Sequence, residues 1–399
     1  MRAGLPRCIA LVGRLGTPQL ACLRSWRRRG VPVLFVHDGP QPLSRLVVRL
    51  LGVPCVNLGP LRPGDAAFVA QFAGHLRAHG VDAVTCVSEP ISEALWAMAA
   101  RLPPGLRLLC VQPAQVRVLE SKFAQDATAR AAGLPTLQSW RWWPGDAAQT
   151  VDVPPQAFPL VVRPDVQRAA NPGFKLAVVK DPAALRALVA ALVPGSSGVI
   201  AQTLVRGPNL LVHGYRSADG RWGGHVAFRV DVKHRGFTVR LSPVPLPADL
   251  AQGCRRMEQA LGLCGVYHWE FVQDESSGAA WFLDLNPRFG GTTGKVLAAG
   301  YDEPLALLGT AQPGALTHSQ VLHARLRPSG GKHQALAALV GALRRRSTEA
   351  DYPYPNLRRL LPALLHQLFL GRDEILRLAD ARTGLAFAAH QIVRRWMPR

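Results

Sequence analysis

The sequence predicts a mixed α/β and α+β protein: a parallel-sheet unit at the N-terminus, a central region in which antiparallel strands dominate, and a basic, mainly helical C-terminal region. Three observations predict it. Residues 7–110 alternate short apolar runs with amphipathic segments, the pattern of strands and helices layered around a parallel sheet. From about Val111 that alternation gives way to strand-like runs separated by turns rich in Gly, Pro and Asn. Towards the end, leucines recur at helical spacing among arginines. The divisions expected are 1–110, 111–315 and 316–399.

Within the first unit the strand candidates are Ile9 to Val12, Val33 to Val36 and Ala83 to Val87. Gly13-Arg14-Leu15-Gly16-Thr17-Pro18 follows the first, ahead of a helical stretch through Arg28, so a strand, a loop and a helix N-terminus come in the order that can hold an anion. A full Gly-x-Gly-x-x-Gly is absent, which leaves a tight turn as the plainer reading. Ser88 is expected to cap a helix running to about Ala100, with Glu93 in its first turn. Ser88 and Glu89 fall at the carboxyl end of a parallel strand, where open α/β sheets bind ligands.

The central region begins with a helix, Ser121 to Ala132, a Gly-Leu-Pro-Thr turn and a Trp-rich strand around Ser139 to Trp143. After the Pro-rich connection Pro144 to Pro155 come strands at Leu160 to Arg163, Leu176 to Val179 and Val199 to Gln202, with a helix from Pro182 to Leu192 between the last two. Antiparallel strands fill Leu210 to Leu241, with turns at Ala218-Asp219-Gly220 and His234-Arg235-Gly236. A helix from Leu250 to Leu261 leads to two more strands, Gly265 to Val272 and Ala280 to Leu285, around the turn Asp274 to Gly278.

Composition sets the outer bounds. A chain of 399 residues, 48% of them hydrophobic, can bury a large core divided over two or three domains. No stretch approaches the roughly 20 uninterrupted apolar residues of a membrane span, and Met1 to Val12 lacks the apolar run of a cleaved signal, so the cytoplasm is the expected compartment. The seven cysteines are scattered, without a Cys-x-x-Cys pair, which predicts reduced core residues rather than disulfides or a zinc site. A net charge of +21 would ordinarily point to nucleic acid or an anionic membrane. Only six of the 47 basic residues are Lys, however, and neither RNP-like motifs nor aromatic residues interleave the Arg clusters, so no specific nucleic-acid partner is expected.

The chemistry is concentrated on the last two central strands. Alternate residues of a strand face one side, so Asp284, Asn286 and Arg288 share a face, and Glu270 on the neighbouring strand can join them. Two carboxylates and an amide oxygen form a hard, all-oxygen donor set suited to Mg²⁺ held jointly with phosphates. Arg288 is placed to neutralise charge on a transferred phosphoryl group or to hold an acyl phosphate.

Several motifs in order resemble the ATP-grasp superfamily: Glu120-Ser121-Lys122-Phe123 with Gly133-Leu134-Pro135-Thr136, then Phe158 to Pro164, then Ile200 to Gly207. Most specific is Tyr267 to Val272 followed by Trp281-Phe282-Leu283-Asp284-Leu285-Asn286-Pro287-Arg288-Phe289-Gly290-Gly291. The resemblance implies an N-terminal pre-ATP-grasp domain and a two-lobed ATP-grasp domain, binding ATP with Mg²⁺ (or Mn²⁺). Lys122 and Arg163 are then the contacts of the α- and β-phosphates; the family more often has Lys at the second place. Gln202, Thr203 and Leu204 become the adenine hinge. Pro208 and Asn209 stand where an acidic ribose contact commonly follows the hinge glycine, which leaves Asn209 as the ribose partner. The loop Asp165 to Phe174, ahead of Lys175, takes the place of a mobile phosphate-covering loop. His225, Arg229, Lys233, His234, Arg235 and Arg240 fall near the expected acceptor site, with Lys233 singled out as catalytic beside Arg288.

The activity implied is a ligase that activates a small-molecule carboxylate as an acyl phosphate for attack by an amine. A kinase or phosphotransferase on the same scaffold, and a non-catalytic basic nucleotide- or polyanion-binding protein, are the competing readings. Residues 331–399 hold 12 Lys or Arg against 5 Asp or Glu, including Arg344-Arg345-Arg346. Their leucines, 357, 360, 361, 364, 365 and 368, fit either a peripheral membrane or partner-binding helix or helices packed on the core with arginines outward; Pro362 would kink such a helix.

Overall fold

The computed structural model describes residues 5–39, 43–146, 152–166, 172–174, 176–217, 220, 222–309, 326–344, 348–349, 351–354 and 356–396. The first five strands, β1 (Ile9–Val12), β2 (Val33–His37), β3 (Cys55–Asn57), β4 (Ala83–Cys86) and β5 (Arg107–Leu108), form a parallel sheet in the order β3-β2-β1-β4-β5. Helices α1 (Thr17–Arg28), α2 (Ser44–Leu50), α3 (Ala66–Ala78) and α4 (Glu89–Met98) connect them. The pleat of β1 explains its unbroken apolar run: Ile9 and Leu11 enter one core with Trp26, while Ala10 and Val12 enter another with Phe68 and Phe72.

The turn into α4 departs from expectation. Ser88 stands at the cap position with extended backbone, but its side chain makes no capping hydrogen bond. The second helical residue is Pro90, which has no N–H to offer. Because the helix starts at Glu89, that residue and not Glu93 is the acid of the first turn.

After α5 (Pro113–Val118) and α6 (Lys122–Ala131), a small antiparallel sheet is built from β6 (Ser139–Trp142), β7 (Leu160–Pro164), β8 (Ala177–Val179) and β9 (Val199–Thr203), in the order β6-β9-β7-β8. Helix α7 (Pro182–Ala190) closes one side, packing Leu185 and Val189 on Leu160, Val162 and Val199. Ser121 caps α6 as its sequence suggests, accepting from the Ala124 amide.

The large sheet runs β14-β13-β10-β11-β12-β15-β16, from β10 (Asn209–Arg216), β11 (Trp222–His234), β12 (Phe237–Val244), β13 (Gly265–Gln273), β14 (Ala280–Asn286), β15 (Ser329–Gly330) and β16 (Arg372–Asp373). On one face α8 (Ala248–Leu261) places Leu250, Cys254 and Met257 against Trp269 and Phe271. On the other, α9 (Thr293–Ala299) brings Val296 against Leu211 and Phe228, and α10 (Glu303–Ala306) follows it. The hairpin between β11 and β12 turns through Arg235 and Gly236, both at positive φ (50° and 77°).

The C-terminal region is woven into the body. Helices α11 (Lys332–Leu343), α12 (Leu357–Phe369) and α13 (Ala381–Trp396) alternate with β15 and β16, which complete the large sheet. Helix α12 continues through Pro362. Its leucines divide: Leu360 and Leu364 pack on Val232 and Val239, whereas Leu357, Leu361 and Leu365 are exposed. Phe387 of α13 reaches the N-terminal core beside Val47 and Val48. Arg24 is buried and ties α1 to this region through Asp380 (2.6 and 3.0 Å) and the Ile375 carbonyl (2.7 Å). All seven cysteines are free, and among the described residues no helix is long and apolar enough to cross a membrane.

Lys295 and Glu374 form a second tie, an ion pair at 2.7 Å with both side chains almost fully buried. Glu374→Ala should destabilise the protein by about 3–5 kcal/mol in chemical denaturation, because it strands the Lys295 ammonium out of water; Lys295→Met with Glu374→Leu should recover most of that loss.

Candidate functional site

The site forms where β13 and β14, at the edge of the large sheet, face the small sheet. Glu270 is the register partner of Asp284, and His268 that of Asn286. Asp284 is buried and accepts from the Lys122 ammonium at 2.7 Å. Lys122 opens α6, and its position is fixed by Asp165, a fully buried carboxylate at the end of β7. Asp165 accepts from the Phe123 amide (2.9 Å) and the Ser121 hydroxyl (3.0 Å), while its carbonyl accepts from the Lys122 amide (3.1 Å). Gln125, one turn along α6, clips the helix to β14 by accepting from the Leu285 amide at 2.7 Å.

Arg163 on β7 crosses between the sheets, donating to the Gln202 side chain and to the Leu283 carbonyl, both at 2.8 Å. Gln202 is therefore a buried hub: its amide nitrogen donates to Asp126 (2.8 Å) and Ser139 (3.1 Å). Leu204 anchors the connection between the sheets by donating its amide to the Pro159 carbonyl at 2.8 Å. Asn209 begins β10 and accepts from the half-buried Lys233 ammonium at 2.8 Å.

Arg288 lies just past β14. Its guanidinium reaches the Asn286 amide oxygen (3.2 Å), the Phe289 carbonyl (3.2 Å) and Glu89 (2.6 Å). The last contact brings in the carboxyl edge of the N-terminal sheet, where ligand contacts are expected, across 199 residues of sequence.

Electrostatics follow the geometry. Burial alone would raise the Asp284 carboxyl, but the charges of Lys122 and Arg163 and the Lys122 hydrogen bond outweigh it and hold the group down to about 2. Burial works the same way on Glu270, and the hydrogen bond and charge of His268 carry it below the ordinary value. Burial lowers Lys233, partly offset by Glu270 and Asp351.

Between the sheets is a cleft of about 250 Å³. The small sheet lends Val161, Arg163, Gln202 and Thr203; the connection lends Leu204 and Gly207; the large sheet lends Asn209, Lys233, Glu270 and Val272. A lining that mixes apolar side chains such as Val161, Leu204 and Val272 with charged ones such as Arg163, Lys233 and Glu270 suits a flat base attached to phosphates. Of the basic stretch read from the sequence, Lys233 alone lines this cleft. His225 is buried between Trp222 and Trp269, Arg229 pairs with Asp231, and His234 pairs with Asp351. Asn171 and Lys175 of the expected covering loop lie outside the described residues. A wider groove of about 790 Å³, lined by Arg28, Lys332 and Arg372 among others, shares no residue with the cleft.

No protein-family model and no curated protein sequence matches the chain. Solved structures do. A biotin carboxylase domain of Hydrogenobacter thermophilus 2-oxoglutarate carboxylase, in complex with MgADP, ADP and bicarbonate, aligns with TM-score 0.57 at 12% identity, covering 82% of this chain and 73% of that one. N5-carboxyaminoimidazole synthetase from Staphylococcus aureus, complexed with ADP, aligns with TM-score 0.58 at 14% identity over 77% and 78%. L-Amino acid ligase from Bacillus licheniformis aligns with TM-score 0.54 at 17% identity over 77% and 74%. The chain has the ATP-grasp fold. The N-terminal parallel sheet takes the place of the pre-ATP-grasp domain, and the small and large sheets are the two lobes of the grasp.

In the protein without added metal, Asp284 contributes stability that depends on pH. Its folded-state value, about 2, lies below the ordinary 3.8, so the contribution is complete above about pH 4 and is lost as pH falls towards 2. Its size is about 2 kcal/mol. Asp284→Asn should flatten that part of the acid limb in urea midpoints measured against pH.

Proposed function

We propose that the protein is an ATP-dependent ligase that activates a carboxylate as an acyl phosphate for attack by an amine, releasing ADP and phosphate. The observation that carries this reading is the convergence of Lys122, Arg163 and Arg288 on the strand pair that holds Glu270, Asp284 and Asn286; Arg163 and Glu270 line the cleft, and Lys122, Asp284 and Asn286 line a smaller pocket of about 40 Å³. The solved structures of similar fold, which include two captured with ADP and one named a ligase, support it.

The donor set fits Mg²⁺ or Mn²⁺: its atoms are carboxylate and amide oxygens on neighbouring strands. Among the described residues no group of three His, Cys, Asp or Glu side chains could hold a metal ion by itself. When bound, such an ion supplies positive charge shared between the phosphates. Lys122 and Arg163 hold the phosphate chain, Thr203 and Leu204 border the base, and Asn209 is placed for the ribose. Arg288, oriented by Glu89, faces the transferred phosphoryl group and the acyl phosphate. The substrate carboxylate oxygen attacks the γ-phosphorus and the bond to the bridging oxygen breaks, leaving ADP. The amine nitrogen then attacks the acyl carbon, the carbon–oxygen bond to phosphate breaks, and the nitrogen gives up one proton. We assign Lys233 to the nucleotide side of this site, because it shares the cleft with the hinge and bonds Asn209.

A screen of acid and amine pairs should yield ADP and phosphate in equal amounts with ligated product; AMP and pyrophosphate would refute the mechanism, and a stable phosphorylated product without amine would favour a phosphotransferase. Glu270→Gln, Asp284→Asn and Asn286→Ala should each lower turnover by at least about 100-fold. By calorimetry Lys122→Ala and Arg163→Ala should each weaken ATP binding by about 1.5–3 kcal/mol, and Arg163→Lys by less, since the charge is kept.

A further inference from the structure

The cleft has a wall that the two lobes do not supply. Glu349, Asp351, Tyr352 and Tyr354, from the C-terminal region between α11 and α12, line its outer side. Their backbone is fastened to the large lobe. Tyr352 pairs with Lys233 in an isolated antiparallel bridge, exchanging hydrogen bonds of 2.8 and 3.0 Å. Asp351 accepts from the Arg235 amide (2.5 Å) and the Thr348 amide (2.8 Å), which holds the segment against the positive-φ turn of the β11–β12 hairpin. Arg359 of α12 adds an ion pair to Glu275, another residue of the same rim.

Glu349 joins this wall to the remaining parts of the cleft. Its carboxylate binds Lys180 at 3.1 Å and Arg206 at 3.0 Å. Lys180 follows β8 on the small lobe, and Arg206 belongs to the connection between the lobes. One carboxylate from the C-terminal region thus holds the small lobe and the hinge to a wall that is itself tied to the large lobe. The two cations pull the Glu349 carboxyl below its ordinary value.

We infer that residues 348, 349 and 351–354 are part of the nucleotide site, forming the outer wall around the base and ribose of a bound purine nucleotide, with Glu349 as the positioning residue that keeps the lobes closed on it. This rests on the reading of the cleft as an ATP site. A nucleotide leaves when the lobes part, and parting them breaks the Glu349 contacts, so the clasp acts on the dissociation rate. Its cations are largely exposed, Lys180 at 72% and Arg206 at 55%, so the effect is modest and sensitive to salt.

The test uses the full chain with MgADP as probe: affinity by calorimetry, and release of a base-labelled fluorescent ADP by stopped flow. Glu349→Gln and Lys180→Gln should each speed release by about three- to fivefold. The double variant should release no faster than the quicker single one, as expected for two ends of one contact. Release from the parent should quicken with ionic strength, and release from Glu349→Gln should not. Lys180 is exposed, so its variant reads the clasp even if Glu349→Gln folds poorly. Parental affinity and release in both single variants, or effects that simply add, would overturn the inference while leaving the ATP site standing. Absence of any MgADP binding by the parent would remove the reading of the cleft itself, and this inference with it.

Discussion

Asp284 is buried at the seam between the lobes, and a charged carboxylate is tolerable there because two cations from separate elements favour it, Lys122 by direct contact and Arg163 through its charge. Lys122 comes from the first turn of α6 and Arg163 from β7. Much of the surrounding architecture serves to bring those cations in. Asp165 fixes the start of α6 to the end of β7, Gln125 fixes the same helix to β14, and Gln202 receives Arg163 while donating to Asp126 and Ser139. Each of these polar groups is itself paired, which is the condition for burying it. The small sheet, α6 and β14 are thereby held in one register.

The same logic reaches outwards. Arg288 is satisfied on one side by Asn286 and on the other by Glu89, so the orientation of the arginine depends on the docking of the N-terminal sheet. That docking depends in turn on the C-terminal region, through Arg24 with Asp380 and Lys295 with Glu374. The last helix packs against the first domain, and Arg288 is oriented by a contact to that same domain. Several internal carboxylates, Asp284 and Glu374 among them, are matched to internal cations.

Local pattern made much of this legible. The extents of β1 and α1 follow from an apolar run ended by Gly13 and a helical stretch ending in Arg28. The pairing of Glu270 with Asp284 follows from strand periodicity on two runs joined by a short turn. What local pattern could not show were contacts made across long sequence separations. Nothing near Glu89 marks it as the partner of Arg288, and nothing between Arg344 and Leu357 marks a wall of the cleft. At Ser88 the expected cap position is occupied but the capping bond is not made: Pro90 takes away one of the two amides a cap residue can bind, and the side chain does not bond the other. Gln202 was placed at the hinge by motif order, and its backbone is there, yet its side chain turns inward to Asp126 because that carboxylate, buried in α6, needs a donor.

The resting contacts also bear on how ligands are accommodated. The Lys122 ammonium gives one of its three donors to Asp284 at 2.7 Å and keeps two for other oxygens. The Asn286 amide oxygen accepts from Arg288 at 3.2 Å and keeps a second lone pair. The two basic side chains thus bring positive charge to oxygens of the candidate donor set. On the proposed reading, Glu270, Asp284 and Asn286 would hold a divalent ion, which would supply positive charge to oxygens that now receive Lys122 and Arg288, while Arg288 would keep its contact with Glu89. On that reading metal and nucleotide would act on one set of paired charges, Lys122 with Asp284 at its centre, and any effect of one on the affinity for the other would be reciprocal.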